Sequence, residues 1–384
     1  MKVKQVSVIR VAHPWKTRIY VVVTTEDGRQ GIGEATIGQL SHGVVGAVRD
    51  IEPVVVGLNV HDIGILRNKV LRDIYADGGQ IVSAALAGVE MALWDIIAKA
   101  ADLPLFKLLG GRVQPRLRLY ANGWYRGKRD PEVISQLAKQ VVAQGYTALK
   151  IDPFGGNWRT ISRREIDLSV QILRGVRAAI GEDVDLIVEG HSRFDSGAAC
   201  SIAKRIEPLN PLWFEEPLRY SDISGYKDVV SKTSVPIAAG ESLWTIDQFG
   251  ELLNAAKISI VQFDPIHVGG IMAARVISEM ALARNAMIAP HSASGPVNEL
   301  VCAHIATASP HLLVFERFHD LESDDSSASL FQSSFRVADG FGEVEERPGI
   351  GAQFSLSHLL AHHTELDTKD QNVFEPGWEL RKTR

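Results

Sequence analysis

The chain has 384 residues, 45% hydrophobic content and a formal net charge of −5, which allows a large core and suggests two domains. It carries no long basic tract, so nucleic acid is not an expected partner, and its two cysteines, Cys200 and Cys302, are too few for a disulfide framework or a Cys-based zinc site. A reducing, cytoplasmic setting is expected, and no membrane partner, because the most apolar stretch, Ala84 to Ala101, is interrupted by Glu90, Asp95 and Lys99.

The first elements are strands. Lys4–Val11 and Ile19–Thr25 alternate or run β-branched, and Glu26-Asp27-Gly28 signals a turn. The alternation at the start differs from the unbroken apolar core of a signal peptide. Between Arg10 and Gln39 lies a segment rich in His, Gly and Thr with little periodicity, of the kind used for lids and specificity loops. Ser83 to Asp95 carries an apolar helical stripe, and Gly110-Gly111 marks a break. Residues 1–112 therefore read as an α+β module.

A repeat follows. Leu117–Ala121, Ala148–Ile151, Leu186–Val188, Leu212–Phe214, Ile237–Ala239, Ile260–Phe263, Met287–Ala289 and Leu312–Phe315 are eight short apolar runs. The central ones are spaced by roughly 25 residues, enough for one strand and one helix. Such a repeat predicts a (β/α)8 barrel over residues 113–323, with its chemistry at the C-terminal rim of the strands. Residues 324–384 turn polar and loop-like, offer no further barrel strand, and are expected to pack back on the first module.

Polar residues end these runs: Lys150, Glu189, Glu215, Glu241, Asp264 and His291. Three glutamates at successive strand ends repel one another unless a proton or a cation compensates, and a hard divalent ion with oxygen ligands is the simplest compensation. Mg2+ suits an oxygen-only set better than Zn2+, which recruits His or Cys. Glu216 follows Glu215 directly, points to the opposite face and reads as structural. Leu117-Arg118-Leu119-Tyr120 lacks the His-x-His pair of metal-dependent hydrolases built on the same barrel. A bound ion and the Lys150 ammonium would together stabilise the charge that develops when a proton is taken from beside a carboxylate. Asp264 and His291 end adjacent strands, an arrangement that suits a carboxylate-oriented imidazole base. His191 lies two residues after Glu189 and shares its face. Glu316, ending the last run, is either a protonated hydrogen-bond donor or a charged rim residue.

Taken in order and spacing, Trp213-Phe214-Glu215-Glu216-Pro217, Ala239-Gly240-Glu241, Asp264 with Gly269-Gly270, and Ala289-Pro290-His291 carry a resemblance that runs through nearly the whole chain. The sequence resembles the enolase superfamily, in its mandelate racemase/muconate lactonizing enzyme branch, and is most similar there to galactonate dehydratase-type sugar-acid dehydratases. The resemblance implies an α/β enolase-type fold, in which an α+β capping domain closes over a modified (β/α)8 TIM barrel. It implies one Mg2+ on Glu189, Glu215 and Glu241, with Glu189 standing where the family more often has aspartate. It gives Lys150, Asp264, His291 and Glu316 catalytic roles and makes His191 the acid that expels the 3-hydroxyl; a Lys or His base working beside Mg2+ is the general pattern of this superfamily. Members that work on both faces carry a second lysine where this chain has Asp152, so one-sided chemistry is favoured.

The expected partner is a small-molecule sugar acid, with Trp15, Lys16, Arg18, Asp152 and Trp158 as candidate contacts, and the expected assembly is a homo-oligomer. Dehydration to a 2-keto-3-deoxy acid is the reaction implied. An epimerase with Asp152 as the opposite base, a cycloisomerase, and a non-catalytic sugar-acid binding protein stand as alternatives.

Overall fold

β1 (Val3–Val11), β2 (Arg18–Thr25) and β3 (Gln30–Glu34) form an antiparallel sheet in the computed structural model, which describes residues 1–13, 16–38, 40–73, 78–318, 330–365 and 378. Helices α1 (Ser41–Val55), α2 (Ile63–Asp73) and α3 (Gly79–Ala100) complete the cap. β3 falls inside the segment expected to be an aperiodic loop, and the reason is its two glycines. A Cβ at Gly31 would lie 2.1 Å from the carbonyl oxygen of Ala92, and one at Gly33 2.0 Å from that of Gly88. Leaving out both side chains lets α3 lie directly on the strand, and the same omission removes the strand's apolar signal.

By length and composition α3 is apolar enough to cross a membrane, but 78% of its most apolar window is buried inside the protein. The charges that interrupt it hold the cap together. Glu90 pairs with Arg67 at 2.6 Å. Asp95 pairs with Lys99 at 2.6 Å and accepts hydrogen bonds from the amides of Ile32 and Ile350.

The eight barrel strands are β4 (Leu117–Asn122), β5 (Ala148–Ile151), β6 (Asp185–Glu189), β7 (Trp213–Glu215), β8 (Ile237–Ala239), β9 (Ile260–Val261), β10 (Met287–Ile288) and β11 (Phe315–Phe318). Neighbours in sequence are neighbours in space and run parallel; β11 returns to pair with β4, and a bridge between Ile288 and Leu312 joins the seventh strand to the eighth. The last strand begins three residues later than the apolar run suggests, because Leu312 only bridges, so Glu316 lies inside the strand. Tyr120, Ala148, Ile187, Trp213, Ala238, Ile260, Ala289 and Val314 point inward and form the floor beneath the rim.

The C-terminal segment, expected on the cap, divides its contacts. β12 (Phe335–Ala338) and β13 (Phe341–Val344) form a hairpin whose second strand pairs antiparallel with β4, so the segment does add strands to the barrel sheet. Gly349 bridges Pro104 and His363 bridges Val11 on the cap, while Trp378 packs its ring 5.2 Å from that of Tyr125 and donates to the Gly127 carbonyl on the barrel side.

Gly33→Ala should drive a methyl group into the α3 backbone and lower stability by on the order of 1–3 kcal/mol, measurable as a drop in the urea midpoint with the slope unchanged.

Candidate active site

Strand register crowds the charges. Lys150 is level with Ile187, Ile187 with Trp213, and Glu189 with Glu215. Side chains alternate along a strand, so Lys150, Glu189 and Glu215 all point into the barrel mouth. Glu241 joins them from beyond β8, where Gly240 takes φ +142° and has no room for a Cβ against the Gln262 backbone, 3.0 Å away. The three glutamates each bring one carboxylate oxygen within 4.8 Å of the others. At an effective dielectric constant of about 20, two full charges ~5 Å apart repel by about 3 kcal/mol, enough to shift a proton equilibrium by more than two powers of ten.

Lys150 is the cation buried among them, with Nζ 2.6 Å from Glu215, 3.0 Å from Glu316 and 3.3 Å from Glu189. Burial works to lower its pKa, but these carboxylates outweigh burial and hold it well above the ordinary lysine value. One ammonium does not neutralise the cluster. Burial and then the Glu189 charge push the Glu215 carboxyl up to about 8, so a proton occupies the site when no other cation does.

The donor set fits a hard divalent ion. Glu189 Oε2 is buried and accepts no hydrogen bond, with Lys150 Nζ 3.3 Å away as its charge partner, while Glu189 Oε1 is taken by the His191 amide at 2.6 Å. Asp264, His267 and His291 also bring ligand atoms within 4.8 Å of one another, but both Asp264 oxygens are engaged, Oδ1 by Ile266 and Asn298 and Oδ2 by His291. The carboxylate oxygen left without a hydrogen bond lies in the glutamate set.

Two histidine–aspartate pairs flank this cluster from strand pairs four apart around the barrel. His291 Nδ1 lies 2.7 Å from Asp264 Oδ2, and its Nε2 faces Glu241 at 3.5 Å. His191 Nδ1 lies 2.6 Å from Asp152 Oδ2, and its Nε2 faces Glu189 at 4.0 Å. Burial works against a charged His291, but Glu241, Asp264 and Glu316 outweigh it and raise the imidazole to about 9. Glu316 accepts from Asn122 at 2.9 Å and from the Ser292 amide at 2.7 Å. Burial would raise its carboxyl, yet Lys150 and His291 bring it down to about 2. These two cations favour the charged partner of Lys150 over the protonated donor.

The remaining expected contacts divide. Asp152 has no exposed surface and lies behind His191, held by Arg193, so it does not face a substrate. This corrects its place among the contact residues. Burial works to raise its carboxyl, but Arg193 and His191 outweigh that and keep it below the usual range, which also removes it as an opposite base. Trp158 is 46% exposed and, with His191, Tyr220 and Trp244, lines a cavity of about 550 Å3 at the barrel mouth. Lys16 and Arg18 are buried; burial and the neighbouring Arg18 bring Lys16 down to about 8, and it feels the charges of Asp264, Glu34 and Glu241. Trp15 lies outside the described residues.

Several residues here have no linear signal. Arg193, Asn122 and Ser292 hold Asp152 and Glu316 in place, and Asn298 links Asp264 to Glu34 of the cap. Glu216, read as structural, has a definite task. Its Oε1 accepts from the amides of Gly240 and Ser242 and from the Ser242 hydroxyl at 2.8 Å, and its Oε2 accepts from the Ser192 hydroxyl. It thus ties the loop carrying Glu189 to the loop carrying Glu241.

Two family descriptions match the chain: the mandelate racemase/muconate lactonizing enzyme N-terminal domain over residues 5–110 and the enolase C-terminal domain-like family over residues 132–357. The chain belongs to the mandelate racemase/muconate lactonizing enzyme family. Members of this branch of the enolase superfamily bind a divalent metal, and the three-glutamate cluster could hold one. The D-gluconate dehydratase of Thermoproteus tenax is 36% identical over 95% of this chain and 73% of its own length. The D-gluconate/D-galactonate dehydratase of Picrophilus torridus is 31% identical over 96% of this chain and 94% of its own. A mandelate racemase/muconate lactonizing enzyme from Jannaschia sp. CCS1 superposes with a TM-score of 0.87 at 30% identity, over 95% of this chain and 98% of that one.

Glutamine in place of Glu216 cannot accept at both ends, so Glu216→Gln should weaken divalent-ion binding about 10–100-fold by calorimetry while the fold melts normally. The Glu215 carboxyl also sets a pH dependence. Its ordinary value is 4.5 and its folded value about 8, so its contribution to the stability of ion-free protein is full below 4.5 and is lost as pH rises through 8. His291, shifted from 6.5 to about 9, acts in the same direction at higher pH. In chelator-treated protein the melting temperature should fall across this window, and the rise produced by added magnesium should grow with pH as the competing proton leaves.

Proposed function

We propose that this protein is a Mg2+-dependent dehydratase of sugar acids, converting a 2,3-dihydroxy carboxylate to a 2-keto-3-deoxy acid with loss of water. The observation that carries the reading is the pair of histidine–aspartate dyads facing one carboxylate cluster from opposite sides. One imidazole is available to take a proton and the other to give one.

Glu189, Glu215 and Glu241 would hold the ion, which when bound supplies a Lewis acid for the substrate carboxylate and offsets the Glu241 charge that keeps His291 protonated. Lys150 adds its ammonium where negative charge develops on the substrate carboxylate oxygens. His291 Nε2 takes the proton from C2, with Asp264 fixing the ring by its Nδ1 hydrogen and stabilising the imidazolium. His191 Nε2 gives a proton to the C3 oxygen. The C2–H electron pair passes first into the substrate carboxylate and then returns to form the C2=C3 bond as the C3–O bond breaks; water departs, and the resulting enol becomes the keto acid.

Related proteins named for D-gluconate and D-galactonate support a hexonate substrate. Those two acids share their configuration at C2 and C3, the only centres this chemistry touches, and differ at C4. An acid and a base on opposite sides of the site favour anti elimination. Epimerisation would need a second base, and the buried, arginine-paired Asp152 does not supply one.

Incubating D-gluconate and D-galactonate with enzyme and Mg2+ should give 2-keto-3-deoxy product in at least one case. In deuterated water His291→Asn should lose both C2 hydrogen exchange and elimination. His191→Asn should keep exchange and lose elimination by about 10²–10⁴-fold. Epimerised substrate without keto acid would overturn the reading.

A further inference from the structure

His191 occupies an unusual backbone position. It and Ser192 have φ of +46° and +55°, a left-handed conformation that side-chain-bearing residues seldom adopt without outside support. The chain turns sharply past Glu189, and the ring is carried back over the end of β5. What meets it there is Asp152, which bonds His191 Nδ1 at 2.6 Å through Oδ2. Asp152 is itself immobilised. The Phe154 amide donates to its Oδ1 at 3.0 Å, and Arg193 Nη2 reaches Oδ1 and Oδ2 at 2.6 and 2.5 Å.

Arg193 is anchored in turn, its Nε donating to the Gly190 carbonyl at 3.1 Å and its Nη1 to the carbonyl of Gly155. Its side chain is 9% exposed and that of Asp152 0%, whereas His191 is 29% exposed. The burial therefore decreases from the anchors to the ring, and only the imidazole reaches the cavity. A purely structural ion pair linking the β5 and β6 loops would not need a third member that lines the cavity.

We propose that Arg193 and Asp152 are positioning residues for His191. The guanidinium fixes the carboxylate, the carboxylate fixes the ring through Nδ1, and Nε2 is left facing the C3 oxygen of the substrate. This rests on the dehydratase reading above and adds to it a reason for Asp152 at the position where two-faced members of the family carry a second lysine. The side chain that would make the site a racemase is used instead to aim the leaving-group acid. The pair touches neither the substrate nor the ion, so its effect is confined to one of the two proton transfers.

The test separates those transfers. Asp152→Asn should lower the rate of water loss about 10²–10³-fold, while C2 exchange with deuterated solvent and magnesium affinity stay within about threefold of the parent. A 3-deoxy-3-fluoro sugar acid loses fluoride, which needs no proton from an imidazole. With it the variant should come within about tenfold of the parent. Arg193→Met should resemble Asp152→Asn and Arg193→Lys should recover part of the loss. Adding Asp152→Asn to His191→Asn should cost little more, because the two changes remove one function. If Asp152→Asn alone unfolds by leaving Arg193 unpaired, the Asp152→Asn/Arg193→Met double variant carries the same comparison.

Equal losses of exchange and elimination, or a fluoro substrate as impaired as the hydroxyl one, would overturn the positioning role and leave the pair as a loop tie. A parent protein that makes keto acid from no sugar acid would instead remove the dehydratase reading, and this inference with it.

Discussion

Charge crowding at the barrel mouth is the constraint from which the rest of the site follows. The β6–β7 register sets Glu189 level with Glu215, and the barrel's closure brings Glu241 and Glu316 into the same space, where Lys150 meets Glu189, Glu215 and Glu316 and His291 faces Glu241. Burial makes the imbalance costly, since neither water nor salt screens it. The fold answers with whatever cation is at hand. A proton on Glu215 is one answer, and a divalent ion held by the same carboxylates would be the other and would compete with it. Ion binding is thereby linked to pH through a residue of the site itself.

Such a site survives only if its walls do not relax outward. Like charges on flexible loops would separate, so the loops after β6, β7 and β8 must be tied. Glu216 does this by accepting from Ser192 on one side and from Gly240 and Ser242 on the other. Its bonds hold the frame, while its charge still reaches Glu241 and helps to raise that carboxyl. The two dyads are built by the same logic, each imidazole resting on a carboxylate that is already committed elsewhere. Asp264 is engaged by the Ile266 amide and Asn298, and Asp152 by Phe154 and Arg193.

The barrel strands and the polar residues at their ends could be read from spacing, because a βα repeat imposes period and direction together. The glutamates and His291 stood out for the same reason. What stayed hidden was whatever depends on pairing across distance. Asp152 and Arg193 are separated by 41 positions, and Glu34 and Asn298 by 264, so no local pattern connects them. Asp152 looked like a substrate contact because its strand position favours one, and only the arginine behind it shows that the position is filled from within. β3 was missed on different grounds. Its glycines are required by the approach of α3, and a strand that gives up its side chains gives up its signal.

The cap's part in the chemistry follows from charge as well as enclosure. A sugar acid is an anion, and it must enter a mouth rich in carboxylates. The cap cations Lys16 and Arg18 are buried, and Lys16 is close enough to Asp264 and Glu241 to feel their charges. Glu34, at the end of β3, accepts from the Asn298 amide, and the Asn298 side chain donates to Asp264. The cap therefore reaches the carboxylate paired with His291 through one intervening residue. A cap displaced from the barrel would take away both the cations and the Glu34 link through Asn298 to Asp264, so the position of the cap and the geometry around His291 would be coupled.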